Sequence, residues 1–135
     1  ARSVETALHK MHEIGFTLDC IRSGFGSAPV PPVAADDLLG IGRTNDAVLY
    51  GGRVNLWVDC EDAVIESLGP RIPSCASSDF GRPFYQIFQA YNCDFYRVDP
   101  LLFSPAMLEL NNLKTGRRFA FGRLRPDILE ESFGL

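Results

Sequence analysis

The first helix is the clearest element that the sequence predicts. Apolar residues recur there at helical spacing and fall on one face: Val4, Ala7, Leu8, Met11 and Ile14. The opposite face is polar, and a glycine follows at position 15, where helices commonly end. The pattern therefore predicts an amphipathic helix over residues 2–14.

Shorter patterns predict the other elements. Strands are predicted by apolar alternation over 18–21, 53–59 and 94–98, and a hairpin is predicted from 106–113 and 117–124. Helices are predicted over 61–68, 83–91 and 126–132, with one more starting at Asp36 or Asp37 and another running from Thr44 or Asn45 to Tyr50. The elements mix without steady βαβ alternation, so we expect an α+β fold.

The segment from Ser23 to Pro32 contains two glycines and three prolines. Proline removes a backbone donor, which argues against a helix or a central strand. We therefore predict a stiff loop whose glycines, Gly24 and Gly26, let the backbone approach a ligand closely. The Gly-x-Gly spacing lacks the third glycine and following helix of a phosphate loop, so a rigid surface loop is the alternative.

Composition narrows the class of protein. The 135 residues suit one compact domain, and 46% hydrophobic with 22% charged residues is typical of folded chains. A net charge of −4 argues against nucleic-acid binding as the main function. No run of about 18 apolar residues or export leader is found, so we expect no membrane span and a cytoplasmic location.

The start of the chain is unusual for a helix. The first residue is Ala1 instead of Met, and no capping residue precedes the helical pattern. Arg2 falls in the first turn, where a cation opposes the helix dipole. These features lead us to expect that a natural N-terminal part is missing.

The four cysteines do not suggest a metal centre. Cys20, Cys60, Cys75 and Cys93 lie far apart, without the close pair that is typical of zinc sites. Four cysteines allow three disulfide pairings, which counting alone cannot exclude. Reduced thiols are the simpler interpretation for a chain with an ordinary core-forming composition.

The polar stripe of the first helix is the best local candidate for chemistry. Arg2 and Glu5 are three residues apart, so their side chains lie on one face. A solvated ion pair is the ordinary interpretation of this spacing. His9 and His12 share the stripe without the spacing of a zinc-binding motif, and we expect no metal there.

Two further groups have ordinary structural interpretations. Arginines near the hairpin suit anion binding, although arginines that alternate on a hairpin usually form a solvated strand face and the net charge is acidic: Arg117, Arg118, Arg123 and Arg125. Aromatic residues between positions 80 and 96 suit stacking on a ring, although the helical spacing of several favours core packing. Neither group identifies a function.

The ordered motifs of the whole chain resemble the methenyltetrahydromethanopterin cyclohydrolase family. The resemblance is carried by RSVETALHK at 2–10, GFGSAP at 24–29, TNDA at 44–47, YGG at 50–52, PS at 73–74, SSDFGRPFY at 77–85, DFYRVDP at 94–100, FSP at 103–105 and SFG at 132–134. The family's chains are longer, and this sequence is similar to their C-terminal part. Residues 1–135 are therefore expected to form one of two subdomains that flank a pterin pocket.

The resemblance implies a function and a set of site residues. The family reversibly hydrolyses 5,10-methenyltetrahydromethanopterin to the 5-formyl compound, without metal or cofactor, as a homotrimer. The family's catalytic pair falls on Arg2 and Glu5, and Gly24, Gly26 and Ser27 are the second candidates, as substrate-binding residues. Weaker candidates for the site are Ser77, Asp79 and Arg82. The alternative is a non-catalytic C-terminal interaction module that stabilises a partner.

Overall fold

The computed structural model describes residues 2–134. Its main elements, in chain order, are α1 (Arg2–Glu13), β1 (Ile21–Ser27), α2 (Asp37–Leu49), β2 (Arg53–Val58), α3 (Asp62–Leu68), α4 (Phe84–Ala90), β3 (Met107–Asn112), β4 (Arg118–Gly122) and α5 (Pro126–Phe133). Short 3₁₀ turns connect several of these elements. The α+β expectation is confirmed. Ala1, the residue before the predicted helix over 2–14, lies outside the described residues.

The four strands form one mixed sheet in the order β1-β2-β3-β4. The pairs β1–β2 and β3–β4 are antiparallel, whereas β2 and β3 run parallel. The parallel pair requires a crossover, which contains α3, α4 and the 3₁₀ turns that follow each of these helices. β1 therefore lies at one edge of the sheet, and the predicted hairpin supplies the other edge.

An aliphatic core lies between the sheet and two helices, α1 and α3. Its buried side chains come from alternate strand positions and from the apolar helix faces: Ala7, Met11, Phe16, Val54, Leu56, Val58, Ile65, Ile72, Leu108 and Leu110. This arrangement confirms the predicted apolar faces of the first helix and of β2. We call it the sheet core.

A second core joins α2, α4 and α5 at a distance from the sheet core. It is rich in aromatic residues, and its buried members are Leu49, Tyr50, Phe84, Ile87, Val98, Leu102 and Ile128. The rings of Phe84 and Phe88 stack with centroids 5.7 Å apart, and those of Phe95 and Phe103 at 5.0 Å. We call it the aromatic core; it explains much of the aromatic run as packing.

Three local predictions are wrong. Residues 18–20 form a 3₁₀ turn instead of a strand, and the first half of the predicted glycine loop is β1. Residues 95–97 also form a 3₁₀ turn, because the Asp94 side chain accepts a hydrogen bond from Tyr96 N at 3.1 Å. Short apolar runs do not distinguish a strand from a tight turn, and glycine at a sheet edge can still pair.

The region after the loop holds one helix where two were predicted. Asp36 is the N-cap of α2 and accepts from Leu39 N at 2.8 Å, as one of the predicted starts requires. Thr44 and Asn45 do not begin a helix; they lie inside α2, where each donates to the carbonyl four residues earlier. The capping preference of such residues was therefore misleading here.

The helices over 61–68 and 126–132, the hairpin and the strand over 53–59 are confirmed to within a few residues. Pro83 is the N-cap of α4 and not its first helical residue. The four cysteines are free thiols. Within residues 2–134, no helix has the length and apolarity of a membrane span, and no three metal-binding side chains form a group.

Candidate active site

The N-terminal end of α1 lies against the end of β1. Ser3 Oγ donates to the carbonyl of Ser27 at 3.4 Å. A Cβ on Gly26 would lie 2.9 Å from Val4 Cγ2 and 3.2 Å from the Arg53 carbonyl. Only glycine lets the helix and the strand approach this closely. The helix-starting residue Arg2 is thereby placed beside the β1 end.

The Arg2 side chain reaches across to α2. Its Nη2 donates to Asn45 Oδ1 at 3.0 Å, over a sequence separation of 43 residues. Asn45 is 5% exposed, and its Nδ2 donates to the Ile41 carbonyl at 2.9 Å. The guanidinium is thus hydrogen-bonded to a buried amide that is itself fixed to the helix backbone.

Arg2 lines two clefts. The larger has a volume of about 670 Å³ and lies between α1 and the start of α2, with Asp36, Asp37 and Asn45 in its wall. The smaller, of about 350 Å³, contains Gly26 and Ser27. Since Arg2 belongs to both, the structure brings three of the five main candidates together: Arg2, Gly26 and Ser27.

Glu5 is exposed on α1, three residues after Arg2. Three residues of helix correspond to about 4.5 Å along the axis, and Glu5 lines neither cleft. None of the ion pairs within residues 2–134 joins Glu5 to Arg2. The catalytic roles of Arg2 and Glu5 stay predictions.

Gly24 lies outside both clefts. A Cβ at this position would lie 2.4 Å from Leu56 Cδ2 and 3.2 Å from the Asn55 carbonyl. Strand pairing with β2 therefore gives a packing reason for this glycine. Its predicted contact with substrate, like those of Gly26 and Ser27, stays a prediction.

The weaker candidates Ser77 and Asp79 belong to a hydrogen-bond network away from the clefts. Ser77 Oγ donates to Asp99 Oδ2 at 2.6 Å. Asp79 accepts from Tyr91 OH at 2.9 Å and from Asp99 N at 3.0 Å. The third, Arg82, contributes its backbone, whose N–H donates to Tyr50 OH at 3.2 Å. These contacts connect loops around the aromatic core.

Two buried ionisable residues were not identified from the sequence. Lys10 lies on α1, and its Nζ donates to the carbonyls of Ile72 and Leu101. Burial lowers the pKa of Lys10 to about 8, against the opposing charge of Asp99. Its position on the edge of the apolar face of α1 was the only available signal.

Asp46 is fully buried in α2, next to the amide that contacts Arg2. Its carboxylate accepts from Phe84 N at 2.9 Å and from Ser132 Oγ. Burial raises the pKa of Asp46 to about 6, although both hydrogen bonds act in the opposite direction. Asp46 therefore faces α4 and α5, and the adjacent Asn45 faces the clefts.

A cleft at a helix–sheet junction with a few convergent polar groups is typical of a protein that binds small molecules. A family model described as Cyclohydrolase (MCH) matches residues 1–133. The chain therefore belongs to the methenyltetrahydromethanopterin cyclohydrolase family, which confirms the resemblance found in the sequence.

Proteins named methenyltetrahydromethanopterin cyclohydrolase are similar along the whole chain. The protein of Rhodopirellula baltica is 52% identical over 137 residues, which cover 100% of this chain and 41% of the relative. That of Methanosarcina mazei is 46% identical, with 100% and 43% covered. That of Methylobacillus flagellatus is 46% identical, with 99% and 41% covered. The chain spans about two fifths of the length of these curated relatives.

Proposed function

We propose that the full-length gene product reversibly hydrolyses 5,10-methenyltetrahydromethanopterin to 5-formyltetrahydromethanopterin. The observation that carries this proposal is the family match over residues 1–133. The clefts at Arg2 support it, because they supply a concave site at one of the two residues that the resemblance assigns to catalysis.

The methenyl carbon of the substrate needs little activation by the protein. The methenyl carbon bridges two nitrogens that share a positive charge, so it is already electrophilic. A positioned water attacks this carbon, and Glu5 accepts a proton from the water. The bond between this carbon and one of the two nitrogens, the one that does not keep the formyl group, then breaks. Glu5 returns the proton to that nitrogen. The remaining hydroxyl proton is released to solvent, which leaves a neutral formyl group.

Arg2 has a complementary role in this proposal. Arg2 lines both clefts, and its guanidinium orients Glu5 and stabilises negative charge that develops on the attacking oxygen. The carboxylates of Asp36 and Asp37 in the larger cleft attract the cationic ring of the substrate. Ser27 and the backbone at Gly26 contact the pterin from the smaller cleft.

Other parts of the proposal concern the assembly. In a protein of the relatives' length, residues outside this chain complete the pterin pocket, and residues 1–135 form the C-terminal of two subdomains. The protein works in the cytoplasm as a homotrimer. Because the substrate is already cationic, the reaction requires no metal or other cofactor. Light scattering tests the trimer, and turnover after treatment with a chelator tests the metal.

The central test is turnover by the full-length gene product, wild type beside Glu5→Gln. Loss of the near-ultraviolet absorbance of the methenyl group reports hydrolysis. We expect kcat to fall about 100-fold or more in Glu5→Gln, within the range of general acid–base effects. Glu13→Gln is the matched control, because Glu13 is an exposed glutamate on the same helix whose partner is His9 at 3.9 Å.

Near-normal turnover of Glu5→Gln would refute the role of Glu5. Absence of turnover in folded wild-type protein would refute the cyclohydrolase proposal. That second outcome would favour the alternative of a non-catalytic interaction module.

A further inference from the structure

The Arg2 side chain needs an anchor if it acts at a defined point. An arginine side chain at an exposed helix start has many rotamers, and an unanchored guanidinium would sample several positions around the cleft. In the described part of the chain, its hydrogen bond goes to Asn45 Oδ1 at 3.0 Å. Asn45, which lies in the wall of the larger cleft, therefore determines where the guanidinium lies.

The orientation of the Asn45 amide is fixed by its own contacts. Nδ2 donates to the Ile41 carbonyl at 2.9 Å, one turn earlier in α2. A flipped amide would place two donor groups, the NH₂ and the guanidinium, against each other. Because Asn45 is only 5% exposed, water cannot easily replace either hydrogen bond.

The neutrality of the anchor is also important. A carboxylate at this position would form an ion pair with Arg2 and neutralise much of its charge. An amide oxygen orients the guanidinium and leaves its positive charge available to the site. The adjacent carboxylate, Asp46, points away from Arg2 toward Phe84 N and Ser132 Oγ.

We propose that Asn45 is a positioning residue that holds the Arg2 guanidinium at the larger cleft through a neutral hydrogen bond. This inference rests on the proposed function, since it assigns Asn45 to the same site. Although Asn45 also lies in the wall of the larger cleft, its effect on the reaction runs through Arg2. Its removal therefore lowers the rate of the chemical step more than it weakens substrate binding.

The test is a double-mutant cycle in the full-length gene product, with turnover measured from the methenyl absorbance. Asn45→Leu has a similar size and removes the acceptor. We expect kcat to fall about 10- to 100-fold, with KM changed less than about threefold, because a misplaced group loses rate at this scale. In an Arg2→Ala background, Asn45→Leu should lower kcat by less than about twofold.

Two further variants separate positioning from folding. Asn45→Asp keeps an acceptor for Arg2, so its kcat should lie between those of wild type and Asn45→Leu. Asn112→Leu removes another buried amide, which donates to the Cys60 carbonyl at 2.7 Å and to Asp62 at 2.8 Å at the opposite end of the strands from Gly26. It should lower the melting temperature and leave kcat within about twofold of wild type.

Unchanged kcat in Asn45→Leu would overturn the inference. So would a loss that adds in full to that of Arg2→Ala, because Asn45 would then act independently of Arg2. If Asn45→Leu does not fold, Asn45→Asp replaces it in the double-mutant cycle with Arg2→Ala. A loss of kcat in Asn45→Asp that adds in full to that of Arg2→Ala would also overturn the inference. Wild-type protein without turnover would instead refute the proposed function.

Discussion

The sheet core and the aromatic core solve the same packing problem with different chemistry. The sheet core is almost entirely aliphatic, and its members alternate along β2 and β3. The aromatic core surrounds buried polar groups: Asp46 bonds to α4 and α5, and Tyr50 OH donates to the Arg82 carbonyl at 2.5 Å. One core depends on apolar burial and the other also on hydrogen bonds.

This difference indicates which core makes the stability of the protein depend on solution conditions. Apolar burial does not change with protonation, so the sheet core should tolerate changes of pH. The aromatic core contains a carboxyl whose pKa is raised by burial. Between pH 7 and pH 4, where Lys10 stays charged, stability should therefore depend on pH mainly through the aromatic core. Cavities should be most damaging in the sheet core.

The largest expected effect comes from opening the sheet core. Leu56 is 1% exposed at the centre of β2, and Leu56→Ala should lower the free energy of unfolding by about 2–5 kcal/mol. Urea unfolding measures this change. Leu113→Ala, at an exposed position just after β3, is the control and should change stability by less than about 0.5 kcal/mol. Similar effects at both positions would contradict the described core.

The next prediction concerns the aromatic core and the dependence of its stability on pH. The pKa of Asp46 is about 6 when folded and about 3.9 when unfolded, so the folded state binds the proton more tightly. Relative to Asp46→Asn, wild type should therefore gain stability as the pH falls through 6, levelling off below about pH 4. At 1.36 kcal/mol per pKa unit, the full gain is about 3 kcal/mol.

Thermal unfolding of both proteins between pH 7 and pH 4 measures this difference. Asp19→Asn, which removes an exposed carboxylate, is the control for the change in net charge. A stability difference between wild type and Asp46→Asn that is constant with pH would show that Asp46 does not titrate with folding.

The smallest effect concerns the surface of the sheet. Arg118 pairs with Glu109 across β3 and β4, and the Arg118 side chain is 63% exposed. Arg118→Ala should cost less than about 1 kcal/mol, and less still in high salt, because water screens exposed pairs. Urea unfolding at two salt concentrations checks this. A larger loss would mean that charged pairs contribute to the sheet as much as its aliphatic core.

Much of the fold could be predicted because several elements follow local patterns. The period of α1, the alternation of β2 and the Lys114-Thr115-Gly116 turn of the hairpin are all visible within a few residues. β1 was missed because its glycines and neighbouring prolines are typical of loops. α2 was divided in two because residues that often cap helices also occur inside them.

The candidate site was predictable only in part. A family resemblance identified Arg2, Gly26 and Ser27, and the structure places all three at one cleft. Asn45 was interpreted as a helix cap, so its contact with Arg2 could not be foreseen. Lys10 and Asp46 are charged residues whose burial depends on carbonyl, amide and hydroxyl groups from distant parts of the chain.

The sequence by itself determined which segments are amphipathic, which turn closes the hairpin and to which family the chain is similar. Those properties depend on neighbours two to four residues away or on ordered motifs. Only the tertiary structure decided that β2 and β3 pair in parallel, that β1 forms an edge and that Arg2 meets Asn45 across 43 residues. Such contacts depend on how the helices pack on the sheet, which no local pattern specifies.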